Sequence, residues 1–334
     1  MARRRALSLI LGMSSVAAAG AGYEAWSRRR DHALPSAGEL VDVDGHQVRR
    51  YREPDGNGSA IVVLVHGAGD CADSWLPVRH RVASFARLVS YDRPGLGRSP
   101  AGPPPDVERY LGELHHVVNG SAVEGGVVLV GHSLGGLIAQ LYAQRRSDAV
   151  AGLVLIDPTP AAVAREPGVK AGFAASSLVA SALKASAPLG VLRLLVTAGA
   201  MPLYPEQRRF RAIISEQDYR RWIAGVVRSF SGAAGAELRS VLPAARYAEQ
   251  HADDASDGVP QIPVALVTSH AYGETWVQMH RDSGAMVPGG TQRHRRPLTQ
   301  HPHAAPGSRR RHHQADGERG DMTGPDATSL PSRR

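Results

Sequence analysis

The sequence predicts an α/β fold: a doubly wound, mostly parallel sheet with an inserted helical cap. Three observations predict it. Short apolar runs rich in β-branched residues recur at Ile61–Val65, Leu88–Tyr91, Val127–Val130, Leu153–Ile156 and Val264–Thr268. Runs of this length and composition suit strands buried on both faces. Helical patterns separate the first four, and strand–helix alternation at this spacing argues for parallel strands joined by crossovers. Between the last two runs lie about a hundred mostly helical, Ala-rich residues. That interruption, approximately 160–255, reads as the cap.

Taken in order, residues 39–52 form an opening hairpin with Gly45 in its turn. A helix is expected around Trp75–Ser84 and another over Asp106–Val118, where Asp106 supplies an N-cap. Leu134–Arg145 reads as an amphipathic helix with Leu137, Ile138, Leu141 and Tyr142 on one stripe.

The formal charge of +8 belongs to the two ends. Residues 1–30 carry six Arg against Glu24, residues 281–334 carry ten Arg against five acids, and the body between them is left at −2. An acidic partner for the folded domain is therefore not implied. Without aromatic interleaving or a known module, the basic tail does not read as a nucleic-acid site. The single Cys71 excludes an intramolecular disulfide framework and a cysteine-built metal site. Ala6–Tyr23 is uncharged, sits between Arg3–Arg5 and Arg28–Arg30, and contains Ala17, Ala19 and Ala21. This pattern fits a signal peptide or a short membrane anchor, so residues 1–30 are expected to target the chain for membrane association or secretion. From Arg281 onward only Val287, Leu298 and Leu330 are aliphatic β-branched or leucine residues, and no aromatic occurs. No strand or helix period passes through this segment, which is expected to be a disordered basic tail.

The chemistry is carried by Gly131-His132-Ser133-Leu134-Gly135-Gly136, placed directly between a buried strand and a helical pattern. That context turns a common Gly-x-Ser-x-Gly string into a nucleophile elbow. A serine in so sharp a turn has a strained backbone, and flanking glycines remove the Cβ clashes. Val65-His66-Gly67-Ala68-Gly69 follows another strand. Acyl transfer needs backbone N–H donors aimed at a developing oxyanion. The N–H groups of Ala68 and Leu134 are the natural pair. Tyr91-Asp92-Arg93-Pro94-Gly95-Leu96-Gly97-Arg98-Ser99 has the Pro and Gly residues of a fixed turn, with Asp92 and Arg93 read as a structural ion pair.

With these three segments in this order, residues 39–280 resemble the α/β-hydrolase family. The resemblance implies a serine hydrolase acting on an ester or related acyl bond, with no cofactor and no metal. A serine at the elbow speaks against the family's dehalogenases and epoxide hydrolases, which use Asp there. It implies the chain order Ser, acid, His. The segment after Val264–Thr268 holds no Asp, so Asp157, at the end of Leu153–Ile156, is the first candidate for the acid and Glu274 the second. Asp157 equally suits a turn before Pro158 and Pro160.

The resemblance also implies a last strand, a histidine loop and a closing helix, none of which is visible after Arg281. A reading frame shifted by one base from about Ser283 restores them. Met286-Val287 then gives Trp, and the stretch from Leu298 permits Ser-His. Failing that, His294, His301 or His303 is left to serve. The expected activity is hydrolysis of a small-molecule acyl substrate. The alternative is an inactive hydrolase-like protein, membrane-attached or frameshifted, lacking the triad histidine.

Overall fold

The computed structural model describes residues 2–34, 38–53, 58–121, 126–204, 207–251, 262–269, 273–284 and 291–295, without the side chains of 2–13, 283–284 and 291–295. The predicted hairpin opens the sheet as β1 (Glu39–Val43) and β2 (His46–Arg52). Its two-residue turn is Asp44-Gly45, with φ of 49° and 87°. A positive φ at both centres matches the twist of the flanking strands.

The expected buried runs become β3 (Ile61–Val65), β4 (Arg87–Asp92), β5 (Val127–His132), β6 (Val150–Ile156) and β7 (Val264–Ser269), each a residue or more longer at one end or both except β3. With β8 (Thr291–Arg295) they form an eight-stranded sheet in the order β1-β2-β4-β3-β5-β6-β7-β8. Pairings from β4 to β8 are parallel, and β2 joins β4 antiparallel. Both faces are covered. Along β3, Ile61, Val63 and Val65 enter one core cluster while Val62 and Leu64 enter the opposite one with Trp75 and Leu88. This is the period-two alternation of a strand buried on both sides.

The crossovers are α2 (Leu76–Ala83), α3 (Val107–Asn119) and α4 (Leu134–Arg145). Asp106 caps α3, its side chain accepting from the Arg109 N–H. One reading of α4 gives way: its burial is not confined to a stripe, because Leu134–Ala139 and Leu141–Ala143 are all buried. The helix lies against the sheet and between α3 and α9 (Ala234–Gln250), so nearly its whole circumference is covered.

Between β6 and β7 the chain builds the cap from α5 (Pro167–Ser186), α6 (Val191–Thr197), α7 (Gln207–Ile213), α8 (Glu216–Ser231) and α9. It has its own core around Trp222, Phe230, Leu192 and Val196. Trp222 stacks on Tyr219 with ring centroids 5.7 Å apart and meets Tyr204 edge-on at 5.6 Å.

Ala2–His32 is one helix, α1, but no single helix among the described residues is long and apolar enough to cross a membrane. At the other end α10 (Glu274–Gly284) runs past residue 280, and Thr291–Arg295 pairs with β7 although no strand was expected there. A Thr-Gln-Arg-His-Arg segment carries no apolar run, yet an edge position asks only for backbone pairing along one side.

Candidate active site

Ser133 sits at the turn from β5 into α4 with φ 51° and ψ −121°, a region that side-chain-bearing residues rarely occupy. The flanking glycines make this possible. A Cβ on Gly131 would lie 2.4 Å from the Gly135 carbonyl oxygen, and one on Gly135 would lie 2.2 Å from that of Val65. Neighbouring backbone then fixes the turn. The Ser133 N–H donates to the Ile156 carbonyl at 3.1 Å, and the Ser133 carbonyl accepts from Gly136, Leu137 and Thr159 at 3.0, 3.2 and 2.9 Å.

Asp157 stands at the equivalent end of β6. Its φ is 42°, its N–H donates to the Val267 carbonyl at 2.8 Å, and its Oδ1 accepts the Ser269 N–H at 2.6 Å. The sheet thus brings Ser133 and Asp157 to the carboxyl ends of adjacent strands, where ligands bind in open α/β sheets. The second acid candidate is placed elsewhere: Glu274 is exposed at the start of α10 and pairs with Arg281 at 2.9 Å.

Ala68 follows β3 in a loop that packs on the elbow. A Cβ on Gly67 would meet His132 Nδ1 at 2.9 Å and Ser133 Cβ at 3.4 Å. Among the described residues neither the Ala68 nor the Leu134 N–H donates to a protein acceptor. Both donors are free beside the serine.

The loop is held by a residue pair that the sequence reading misassigned. Arg93 does not pair with Asp92. Its guanidinium, fully buried, donates to the His66 and Gly67 carbonyls at 2.8 Å each and to Glu237 on α9 at 2.5 and 2.8 Å. Glu237 also accepts the Gly69 N–H at 2.8 Å. Asp92 turns the other way and accepts from Tyr51, Ala72 and Arg98 at 2.6, 2.7 and 2.8 Å. Successive residues leaving a strand point to opposite faces, so adjacency in sequence separated these two side chains. Burial alone would weaken the Arg93 charge, but Glu237 holds its pKa above the ordinary arginine value.

Burial dominates the electrostatics around the elbow. Burial lowers the His132 pKa, against opposing pulls from Asp70 and Asp157, and burial raises that of Asp70. Asp70 Oδ1 accepts from the Cys71 N–H at 2.9 Å and from the hydroxyl of Tyr204, a cap residue, at 3.1 Å. Among the described residues no histidine hydrogen-bonds Ser133 or Asp157. His280 on α10 instead bonds the Pro158 carbonyl at 2.7 Å and Thr268 Oγ1 at 3.0 Å, beneath the acid's loop. On β8, His294 is registered opposite Thr268, while His301 and His303 lie outside the described residues.

Sequence reasoning missed Glu237, Asp70 and His280. Glu237 lies 144 positions from its arginine and carries no motif.

Comparison with known proteins agrees with the fold. The sequence model of the alpha/beta hydrolase family matches residues 62–316. The chain is 34% identical over 119 residues to lipase LipV of Mycobacterium tuberculosis, covering 36% of this chain and 43% of that protein. It is 35% identical over 113 residues to the pimeloyl-[acyl-carrier protein] methyl ester esterase of Sodalis glossinidius, covering 34% and 42%. A (lyso)-N-acylphosphatidylethanolamine lipase of Homo sapiens is 30% identical over 147 residues, covering 42% and 43%. The matched stretches span less than half of each of these three relatives. Among solved structures, the Cif epoxide hydrolase of Acinetobacter nosocomialis superposes with a TM-score of 0.62 at 16% identity, covering 82% of this chain and 90% of that one. Fold, strand order, elbow and family match all agree, and the chain belongs to the alpha/beta hydrolase family.

Proposed function

We propose that the protein is a serine hydrolase that cleaves an ester or related acyl bond, with Ser133 as nucleophile. The observation that carries this reading is the strained Ser133 backbone, φ 51° and ψ −121°, with two unengaged N–H donors beside it. Ser133 Oγ attacks the acyl carbonyl, and the N–H groups of Ala68 and Leu134 take the charge that develops on its oxygen. The attacking hydroxyl's proton passes to a histidine base oriented by Asp157, then to the leaving alcohol or amine. Water releases the acyl group by the same route in reverse roles. The relatives' names, lipase and methyl ester esterase, support an acyl substrate, and no cofactor takes part in this scheme. Residues 6–23 place the protein at a membrane or direct it out of the cell.

A second reading is that the protein is hydrolase-like and inactive. It is favoured by the lack of a histidine bonded to Ser133 or Asp157 among the described residues. A fluorophosphonate probe separates the two. Labelling of the full chain, lost in Ser133→Ala, supports the enzyme, and alanine variants of His294, His301 and His303 then identify the base. A folded protein that takes up no label supports the inactive reading. Resequencing the gene across codons 280–300 tests whether that reading arises from a shifted frame.

A further inference from the structure

The helix α1 carries one stripe at heptad spacing, Gly20, Glu24, Ser27 and Asp31, and the cap receives it. A Cβ on Gly20 would lie 2.3 Å from the Leu189 carbonyl oxygen, so the helix backbone rests directly on the turn after α5. Glu24 is 3% exposed and accepts from Arg193 of α6 at 2.7 Å, while Asp31 accepts from the same guanidinium at 2.8 Å. Buried charges must be paired, and Arg193 has no other carboxylate partner among the described residues. The second half of α1 is therefore built into the cap.

Above that contact the surface turns apolar. Val16 is 74% exposed one turn before Gly20, and Leu189, Val191 and Leu194 are exposed around the turn that α1 touches. The helices Pro167–Leu189 and Val191–Thr197 together reach the length and hydropathy of a membrane span, but are bent by 105° and cannot cross as one rod. From Arg5 to the docked Gly20, α1 extends roughly 22 Å, short of the roughly 30 Å hydrocarbon core. The exposed Arg28–Arg30 put positive charge at the docked end of the helix, and Arg30 lies over the exposed Trp26 ring at 4.6 Å. Apolar residues bordered by arginine and tryptophan match the headgroup boundary of an anionic bilayer.

We propose that α1 remains uncleaved as a structural part of the cap, and that Val16 together with Leu189, Val191 and Leu194 seats the cap on an anionic phospholipid surface. Acyl substrates carried in that surface would then reach the cap side of the molecule. The inference rests on the membrane-targeting part of the reading above and is independent of the hydrolytic part.

The test uses the full chain with vesicles of equal phosphatidylglycerol and phosphatidylcholine, and with phosphatidylcholine alone. We expect the purified membrane fraction to contain the intact amino terminus by mass. Binding should be stronger to the anionic vesicles, and Leu189→Ser/Leu194→Ser should bind about tenfold more weakly with an unchanged melting temperature. An amino terminus beginning between residues 18 and 31 would overturn the proposal while leaving membrane targeting intact. An uncleaved chain that ignores both vesicle types would overturn targeting and proposal together. Unchanged binding by the double variant would remove the cap from the surface, and the proposal with it.

Discussion

Replacing Glu237 by Ala tests the idea that the cap holds the His66–Gly69 loop in place. The substitution leaves Arg93 with its two carbonyl acceptors but without a countercharge, at 0% exposure. Stranding one member of a buried ion pair costs about 3–5 kcal/mol. The Gly69 N–H also loses its acceptor, which adds about 1–3 kcal/mol. Equilibrium urea unfolding should therefore report a loss of about 4–8 kcal/mol, large against a typical total of about 5–15 kcal/mol. Arg93→Met/Glu237→Met removes both charges and should cost less than the two single variants added together. The single variant, if it folds, should label with fluorophosphonate at least about tenfold more slowly, because Ala68 belongs to the loop that Arg93 and Glu237 hold. A loss below about 1 kcal/mol, or strict additivity of the two sites, would refute the clamp.

Gly67→Ala puts a Cβ at 2.9 Å from His132 Nδ1 and 3.4 Å from Ser133 Cβ. The loop must give, and we expect labelling to slow by about tenfold or more while the melting temperature shifts by only a few degrees. Equal labelling rates would separate this loop from the reaction. Glu113 is buried on α3 with His46 Nε2 at 3.1 Å, and burial pushes its carboxyl up to about 8 from 4.5. A raised folded value means that its contribution is full below about pH 4.5 and is lost as the pH rises through about 8, up to about 5 kcal/mol in all. Urea melts at about pH 5 and about pH 8 should show this decline in the wild type and a flatter one in Glu113→Gln. Gly97 has φ 49°, and a Cβ there would fall 2.3 Å from Asp92 Oδ2. Gly97→Ala should cost at least about 2 kcal/mol, read by the same melts.

The legible parts of this fold are those whose cause is local. Val62–Leu64 reads as a strand because every position is apolar and β-branched or leucine, and Asp44-Gly45 reads as a turn because few dipeptides tolerate two positive φ values. The elbow is legible because the Gly-x-Ser-x-Gly spacing sits between a strand run and a helical pattern, and the clash that requires Gly131 arises within five residues; the one that requires Gly135 comes from Val65 and His66 on a neighbouring strand end. Arg93 was visible but its partner was not, since nothing near Glu237 marks it as facing a loop 168 positions away. Likewise Glu24 looks like one acid in a basic leader until Arg193, 169 positions on, is brought to it. Thr291–Arg295 escaped for the opposite reason: its pairing is supplied by β7, and its own composition contributes no signal.

Ser133 N–H to Ile156, Thr159 N–H to Ser133 and Asp157 N–H to Val267 all join main-chain atoms. The spot where each side chain emerges is therefore set by the peptide ladder, and only Asp157 adds a bond from beyond Cβ, its Oδ1 accepting the Ser269 N–H. A cysteine or carboxylate at position 133, or an asparagine at 157, would be presented from the same point with the same bearing. The scaffold behaves as a socket with interchangeable fittings, so chemistry at this site can change by single substitutions without any redesign of the fold.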